Sequence, residues 1–269
     1  MRRVAIAAAA VFALLEVAPY LVMLSGSLKT LEEVSRVPPT VVPESAHPEN
    51  YSEVFEAAPM ARYLANTVIV SGSIALAQIV LVVLAAYALT FMRMGPSARA
   101  VQVLVLLCLA VPPQVRFVPV YLMLARVDLV DTFFALVAPH AASALGILLA
   151  CKAMRALPIE VVEAARLDGA SELAIAFRVV APMIRPTLVA FLLFSVVYHW
   201  NDYFWTLVMT TSDRVRTLPV GVALLREQGT GVRWHLVMAA TVVVTAPVLA
   251  IFALTNRHLV RAFTWTSPR

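Results

Sequence analysis

The stretch YLANTVIVSGSIALAQIVLVVLAAYALTFM, Tyr63 to Met92, contains no Asp, Glu, Lys or Arg. A helix needs about 20 predominantly apolar residues to cross a hydrocarbon core roughly 30 Å thick, so an uncharged run of this length reads as a membrane span. It stops at Arg93, Gly95 and Pro96, a charge followed by two helix breakers. Similar runs lie on both sides of it, over about 4–24, 100–124, 132–153, 187–209 and 235–255. With 63–92 they make six expected spans in one transmembrane domain, 1–269. The expected fold class is all-α and polytopic.

Composition agrees. Apolar residues make up 61% of the chain and charged residues only 14%, and mean hydropathy is +0.86. Soluble domains carry about 25% charged residues, which cover a surface that must face water. The net charge of +5 and pI of about 9.6 would suit nucleic acid, but no basic stripe interleaved with aromatics accompanies them. No nucleic-acid partner is expected; the lipid bilayer is. Cys108 and Cys151 lie in separate apolar runs without CxxC spacing, so they read as small core residues, with neither a disulfide nor a metal site expected.

The first run follows Arg2 and Arg3. A cleaved signal peptide has the same opening, but this run is long for a signal core and lacks a clear small-residue cleavage site, which favours a retained helix. An even number of spans puts both ends on one side. Arg2, Arg3, Arg93, Arg99, Lys152 and Arg155 flank the spans on the side of the termini, and the positive-inside bias makes that side cytoplasmic, N-in and C-in. On this topology Ser25–Arg62 is an external loop with short helix, and Thr210–Trp234 is a second, polar external loop.

Between the fourth and fifth spans lies the charged segment 157–186, LPIEVVEAARLDGASELAIAFRVVAPMIRP. Pro158 suits a first helical turn, where its missing N–H costs nothing, and Glu160 and Glu163 near that turn suit the helix dipole. Val161, Val162, Ala165 and Leu167 offer an apolar side, and Glu163 and Arg166 are spaced to pair at i,i+3. Gly169 ends the helix, Ser171 can cap a second one, and Pro182 and Pro186 are expected to close it. Two short helices with a turn at Asp168-Gly169 result. Such a pair could lie on lipid, or its small residues and acids could dock into a protein groove. The physical reading leaves both open.

The residues Glu163-Ala164-Ala165, then Asp168-Gly169, then Pro182 resemble the EAA loop of permease subunits in binding-protein-dependent ABC importers. Glu-Ala-Ala-Arg-Leu-Asp-Gly-Ala is similar to the carbohydrate, maltose-permease-like form of that loop. Other elements resemble the same branch in the same order. They are Asn50-Tyr51 to Phe55, Leu64-Ala-Asn66-Thr67, the AAYAL run Ala85 to Leu89, and Pro112, Pro119 and Tyr121 in a broken third helix. Trp200-Asn201-Asp202, Thr217-Leu218-Pro219-Val220-Gly221 and Met238-Ala239-Ala240 complete the series. The resemblance covers almost the whole chain. It departs at the end, where Val260 to Arg269 replaces a glycine-rich terminus.

The resemblance implies that 157–186 is a coupling loop docked in an ATPase subunit. Glu163 would anchor it, Ala164 and Ala165 would permit close approach, Asp168 and Gly169 would form the turn, and Pro182 would follow. It implies as partners a second homologous permease, two ATPase subunits and an extracytoplasmic solute-binding protein, in a bacterial or archaeal cytoplasmic membrane. The chain carries no GxxxxGK[ST] phosphate loop. It is therefore expected to be a transport subunit and no enzyme, with no catalytic residues and no cofactor of its own, ATP and Mg being bound by the partner ATPase. The solute would be a mono- or oligosaccharide, alternatively glycerol phosphate or another polyol. A scaffold without transport activity is the rival from another class.

Polar groups at membrane depth usually meet a partner or a cavity. Asn66, Arg116, Tyr198, Trp200, Asn201 and Asp202 are the candidates for the translocation path. The competing expectation for them is interhelical bonding, including an ion pair of Arg116 with Asp202, and for the aromatics an interfacial belt. Gln78 is placed to bond across helices, and His140 and His199 are not expected to bind metal.

Overall fold

The computed structural model describes residues 2–92, 95–227 and 231–264. They are all-helical, with no strand among the described residues. In chain order the helices are α1 (Arg2–Ser27), α2 (Leu31–Ser35), α3 (Glu49–Ala57), α4 (Met60–Phe91), α5 (Pro96–Ala110), α6 (Pro113–Arg126) and α7 (Phe133–Val137). A 3-10 turn, Ala138–His140, leads to α8 (Ala144–Met154) and α9 (Ile159–Leu167). Then come α10 (Glu172–Ala174), a π-helical stretch (Ile175–Val180), α11 (Ala181–Met183), α12 (Arg185–Trp200), α13 (Phe204–Met209), α14 (Leu218–Glu227) and α15 (Trp234–Thr264).

Four segments are long and apolar enough to cross a membrane: Arg3–Ser27, Met60–Phe91, Phe133–Met154 and Trp234–Ala253. Two more arise if each sharply bent pair is one span, Arg99–Ala110 with Pro113–Arg126 at 98°, and Glu172–Met183 with Arg185–Trp200 at 86°. The first bend falls at Pro112-Pro113. A proline lacks an N–H and its ring clashes with the carbonyl four residues back, so the helix cannot continue through the pair. The expected run 187–209 divides after Trp200, where Asn201 turns its amide onto the Val197 carbonyl at 2.8 Å. The Asp202 carboxylate accepts the Trp205 N–H at 3.1 Å and starts α13. The expected polar loop 210–234 contains α14. Buried Leu218, Val220 and Leu225 fix that helix, an apolar stripe that the loop's overall polarity conceals. The atypical tail ends at 265–269, outside the described residues, as does Arg93.

Two compact units emerge, Met1–Asn66 with Arg216–Ala250, and Thr67–Val215 with Ile251–Arg269. In the first, Val54, Met60, Tyr63, Leu218, Leu225 and Leu236 form the core. The Asn50 amide donates to the Ser27 and Lys29 carbonyls, each at 2.9 Å, and the Tyr51 hydroxyl meets Ser27 Oγ at 2.8 Å. The Asn-Tyr element thus satisfies carbonyls that the end of α1 leaves open. The Asn66 amide likewise donates to the Arg216 carbonyl at 2.8 Å.

The second unit holds two apolar clusters. One gathers Val82, Ala86, Tyr87, Met154, Val162, Ile175 and Phe191. The other gathers Val70, Ile74, Leu124, Leu136, Trp205 and Met209. In the first cluster Gly146 permits the close approach. A Cβ there would lie 2.6 and 2.7 Å from Phe191 ring carbons and 2.7 Å from Val82 Cγ2. Cys151 is buried and Cys108 exposed, both free thiols.

Candidate functional site: an exposed loop and a cavity beside a broken helix

Segment 157–186 begins with Pro158 in extended conformation, followed by α9 with Glu160 in its first turn. The helix closes as the N–H groups of Asp168, Gly169 and Ala170 donate to the carbonyls of Ala164, Arg166 and Ala165. Gly169 lies at φ +80°, with open space where a Cβ would stand. Backbone conformation, not crowding, therefore demands glycine there. Ser171 then caps the next helix, accepting from the Ala174 N–H at 3.3 Å.

Three local expectations need correction. Arg166 does not pair with Glu163. It turns forward to Glu172, with Nε donating to Oε1 at 2.8 Å and Nη2 to Oε2 at 3.0 Å. The left-handed turn at Gly169 folds the next helix back to meet it, and the two bonds hold the guanidinium in bidentate geometry that a neighbour on the same helix does not offer. Leu167 is not on the apolar side. It is 89% exposed, while Val162 provides the buried anchor. Nor does Pro182 close the second helix. It sits inside α11, and the break comes after it, at Ile184. The π-helical stretch before Pro182 widens the turn, which accommodates a ring that an α-helical interior would reject.

Glu163, Ala164, Asp168 and Gly169 are exposed and Ala165 is half-buried, so the quoted motif lines an outward face. The inward face is tied to α4. The Tyr87 hydroxyl donates to Glu172 Oε2, and Arg166 Nη2 donates to the Phe91 carbonyl at 3.2 Å. Arg166 thus places a cation on the C-terminal end of α4, where carbonyls and helix dipole both favour one. Arg166 first, and then the Tyr87 hydroxyl, hold the Glu172 carboxyl below its ordinary range.

A cavity of about 830 Å³ opens within the second unit, beside the bend between α5 and α6. Irregular backbone at membrane depth is tolerated where it is buried in protein or lines a cavity, and Val111 and Pro113 line this one. Phe191 and Phe194 give it apolar walls. Gln78, Arg116, His140, Ser143, Ser195, Tyr198 and His199 supply the polar groups. Gln78 joins three helical segments: its amide donates to the His140 carbonyl at 2.7 Å, and its oxygen accepts from Ser195 Oγ at 2.6 Å. The His140 ring stands 4.9 Å from that of His199 and 4.9 Å, edge-on, from Trp205. His140 Nε2 and His199 Nδ1 are buried without a hydrogen-bond partner.

Of the six candidates for the path, Arg116 and Tyr198 line the cavity and the others do not. Asn66 and Trp200 are buried, Asn201 bonds its own helix, and Asp202 starts α13. No ion pair joins Arg116 to Asp202, and among the described residues no carboxylate pairs with Arg116. Sequence reasoning weighed His199 among the polar groups of 198–201 but did not bring His140 to the same cavity. With Asp202 the two histidines bring one donor atom each within 4.8 Å of one another, a grouping chemically able to hold a cation or a bridging water. The available signal was Pro139-His140, a polar residue beside a helix breaker inside an apolar run.

Comparison with known proteins places these features in context. Residues 54–265 match the family described as binding-protein-dependent transport system inner membrane component. The sn-glycerol-3-phosphate transport system permease protein UgpE of Pectobacterium atrosepticum is 30% identical over 86% of this chain and 84% of its own length. UgpE of Yersinia enterocolitica is 29% identical over 90% and 88%. Among solved structures, a bacterial ABC transporter that imports the acidic polysaccharide alginate superposes with a TM-score of 0.84 at 21% identity, over 94% of both chains.

Proposed function

The chain belongs to the family of inner-membrane components of binding-protein-dependent transport systems, and from that premise we propose that it is the permease subunit through which a mono- or oligosaccharide, delivered by an extracytoplasmic binding protein, crosses the membrane. It pairs with a second homologous permease and two ATPase subunits in a bacterial or archaeal cytoplasmic membrane, with both termini inside. ATP and Mg bind to the ATPase subunits, which carry out hydrolysis, and this chain binds no cofactor.

One observation carries the coupling role. The loop 157–186 presents Glu163, Ala164 and Asp168 outward while Arg166, on the same helix, grips Glu172 and the Phe91 carbonyl. A push on the exposed face of α9 therefore reaches the end of α4 through charge-assisted bonds, without passing through a soft loop. Rocking of helices about the cavity then alternates access, as in other transporters. The cavity supplies the path, with Arg116 and Tyr198 on its wall. Next to the lining residues Tyr198 and His199, Asn201 and Asp202 fix the break between α12 and α13.

A second reading has specific support: both UgpE relatives are named for sn-glycerol 3-phosphate, so a phosphorylated polyol is the alternative solute. That solute and the acidic polysaccharide of the structural relative are both anions. Purification of the chain from its native membrane tests the assignment. It should bring down two nucleotide-binding subunits and a second permease, with hydrolysis stimulated by the loaded binding protein. Recovery without a nucleotide-binding subunit, and with no stimulated hydrolysis, would instead make the chain a scaffold.

A further inference from the structure

The cavity has an uneven charge. Arg116 is the one ionic side chain that is always charged on its wall, and neither Asp nor Glu lines it. A guanidinium at membrane depth normally finds a carboxylate or backbone carbonyls, yet among the described residues Arg116 has neither as a side-chain partner. Beneath the same wall His140 Nε2 and His199 Nδ1 are buried and unsatisfied, and His199 is only 8% exposed. Buried imidazole nitrogens without a partner are costly, and a cavity of about 830 Å³ is within the size range of sites that enclose small ligands. One exposed cation with the Ser143 and Tyr198 hydroxyls, set against the Phe191 and Phe194 rings, matches a solute with one anionic group, hydroxyls and an apolar face.

We propose that Arg116 sets the charge specificity of this subunit, and that the solute crossing it is an anionic carbohydrate: a sugar or polyol bearing a phosphate or a carboxylate. This rests on the permease reading above and deepens it. The planar guanidinium takes phosphate or carboxylate oxygens bidentately. The Tyr198 hydroxyl on the same wall can donate to or accept from solute hydroxyls. Asp202 is not on the wall: its carboxylate accepts the Trp205 N–H and forms no ion pair with Arg116.

The test uses the complete importer in proteoliposomes with its binding protein, measuring uptake of sn-glycerol 3-phosphate, a uronate oligosaccharide, glycerol and maltose. The wild type should take up a charged probe and neglect its neutral counterpart. Arg116→Gln, inserted in the membrane in the wild-type amount, should lower kcat/KM for the charged probe about tenfold or more, as loss of a charge-assisted contact implies. Arg116→Lys should restore part of it. The phosphate and carboxylate arms separate the two possible sources of the anion. Efficient uptake of a neutral sugar by wild type and Arg116→Gln alike would overturn the inference while leaving the permease assignment intact. An equal fall for charged and neutral probes would make Arg116 a structural or lipid-facing group. Uptake of no probe, with no hydrolysis stimulated by the binding protein, would remove both readings.

Discussion

Between Pro158 and Ser171 each structural decision is made within a few residues: a proline opens α9, a glycine at φ +80° ends it, and a serine caps α10. The cavity is assembled differently. Gln78, Arg116, His140 and His199 come from four separate stretches of chain, and Gln78 approaches His199 across 121 residues of sequence. The loop presents its functional groups outward and satisfies its inward ones, whereas the cavity keeps unsatisfied groups inside. On the proposed function, the loop meets a protein with its local bonding complete, and the cavity passes a solute with bonds left unmade.

The largest effect that would sharpen this contrast belongs to the loop. Gly169→Val puts a β-branched residue in the left-handed region, at a cost of roughly 1–2 kcal/mol or more, and redirects the turn. Glu163→Lys reverses the charge on the outward face. Each should cut uptake by about a hundredfold or more while the subunit stays in the membrane. Transport at wild-type rate by both variants would take the loop out of the mechanism.

A smaller effect is expected at the base of the cavity. Gly146→Val would drive methyl groups into Phe191 and Val82, costing roughly 1–3 kcal/mol by overpacking. Thermal unfolding in detergent should shift downward, and an unshifted transition would show that the helices separate there without penalty. The smallest is the tie. Glu172→Gln removes the ion pair to Arg166, which is partly exposed and so contributes under about 1 kcal/mol to stability. The expected result is a severalfold loss of uptake, with hydrolysis less affected. Because the Glu172 carboxyl is held below its ordinary value of 4.5, the pair's contribution is fully present above that pH and is lost as pH falls further below it. The glutamine variant should lack that acid-dependent loss, and an identical acid profile for both proteins would argue against the tie.

The spans were legible because an uncharged run such as Tyr63–Met92 has few alternatives in water. The turn at Gly169 was legible because its cause is local. Arg166 shows where legibility ends. Spacing alone offers Glu163 at i−3, and only the folded-back turn makes Glu172 the better partner. Asn50 and Asn66 stand in recognisable elements, yet their task, satisfying carbonyls at Ser27, Lys29 and Arg216, depends on segments that only tertiary structure brings together. His140 and His199 read singly give no sign of each other, and only the fold brings their rings 4.9 Å apart.

The clasp at the end of α1 has a mechanical corollary. The apolar part of α1, residues 4–24, rises roughly 32 Å, about the thickness of a hydrocarbon slab near 30 Å, and its apolar window buries nothing within the chain. Only its last turn is gripped, by Asn50 and Tyr51. With one end held and no flank packed within the chain, the inclination of α1 is left to whatever its exposed sides meet in the bilayer.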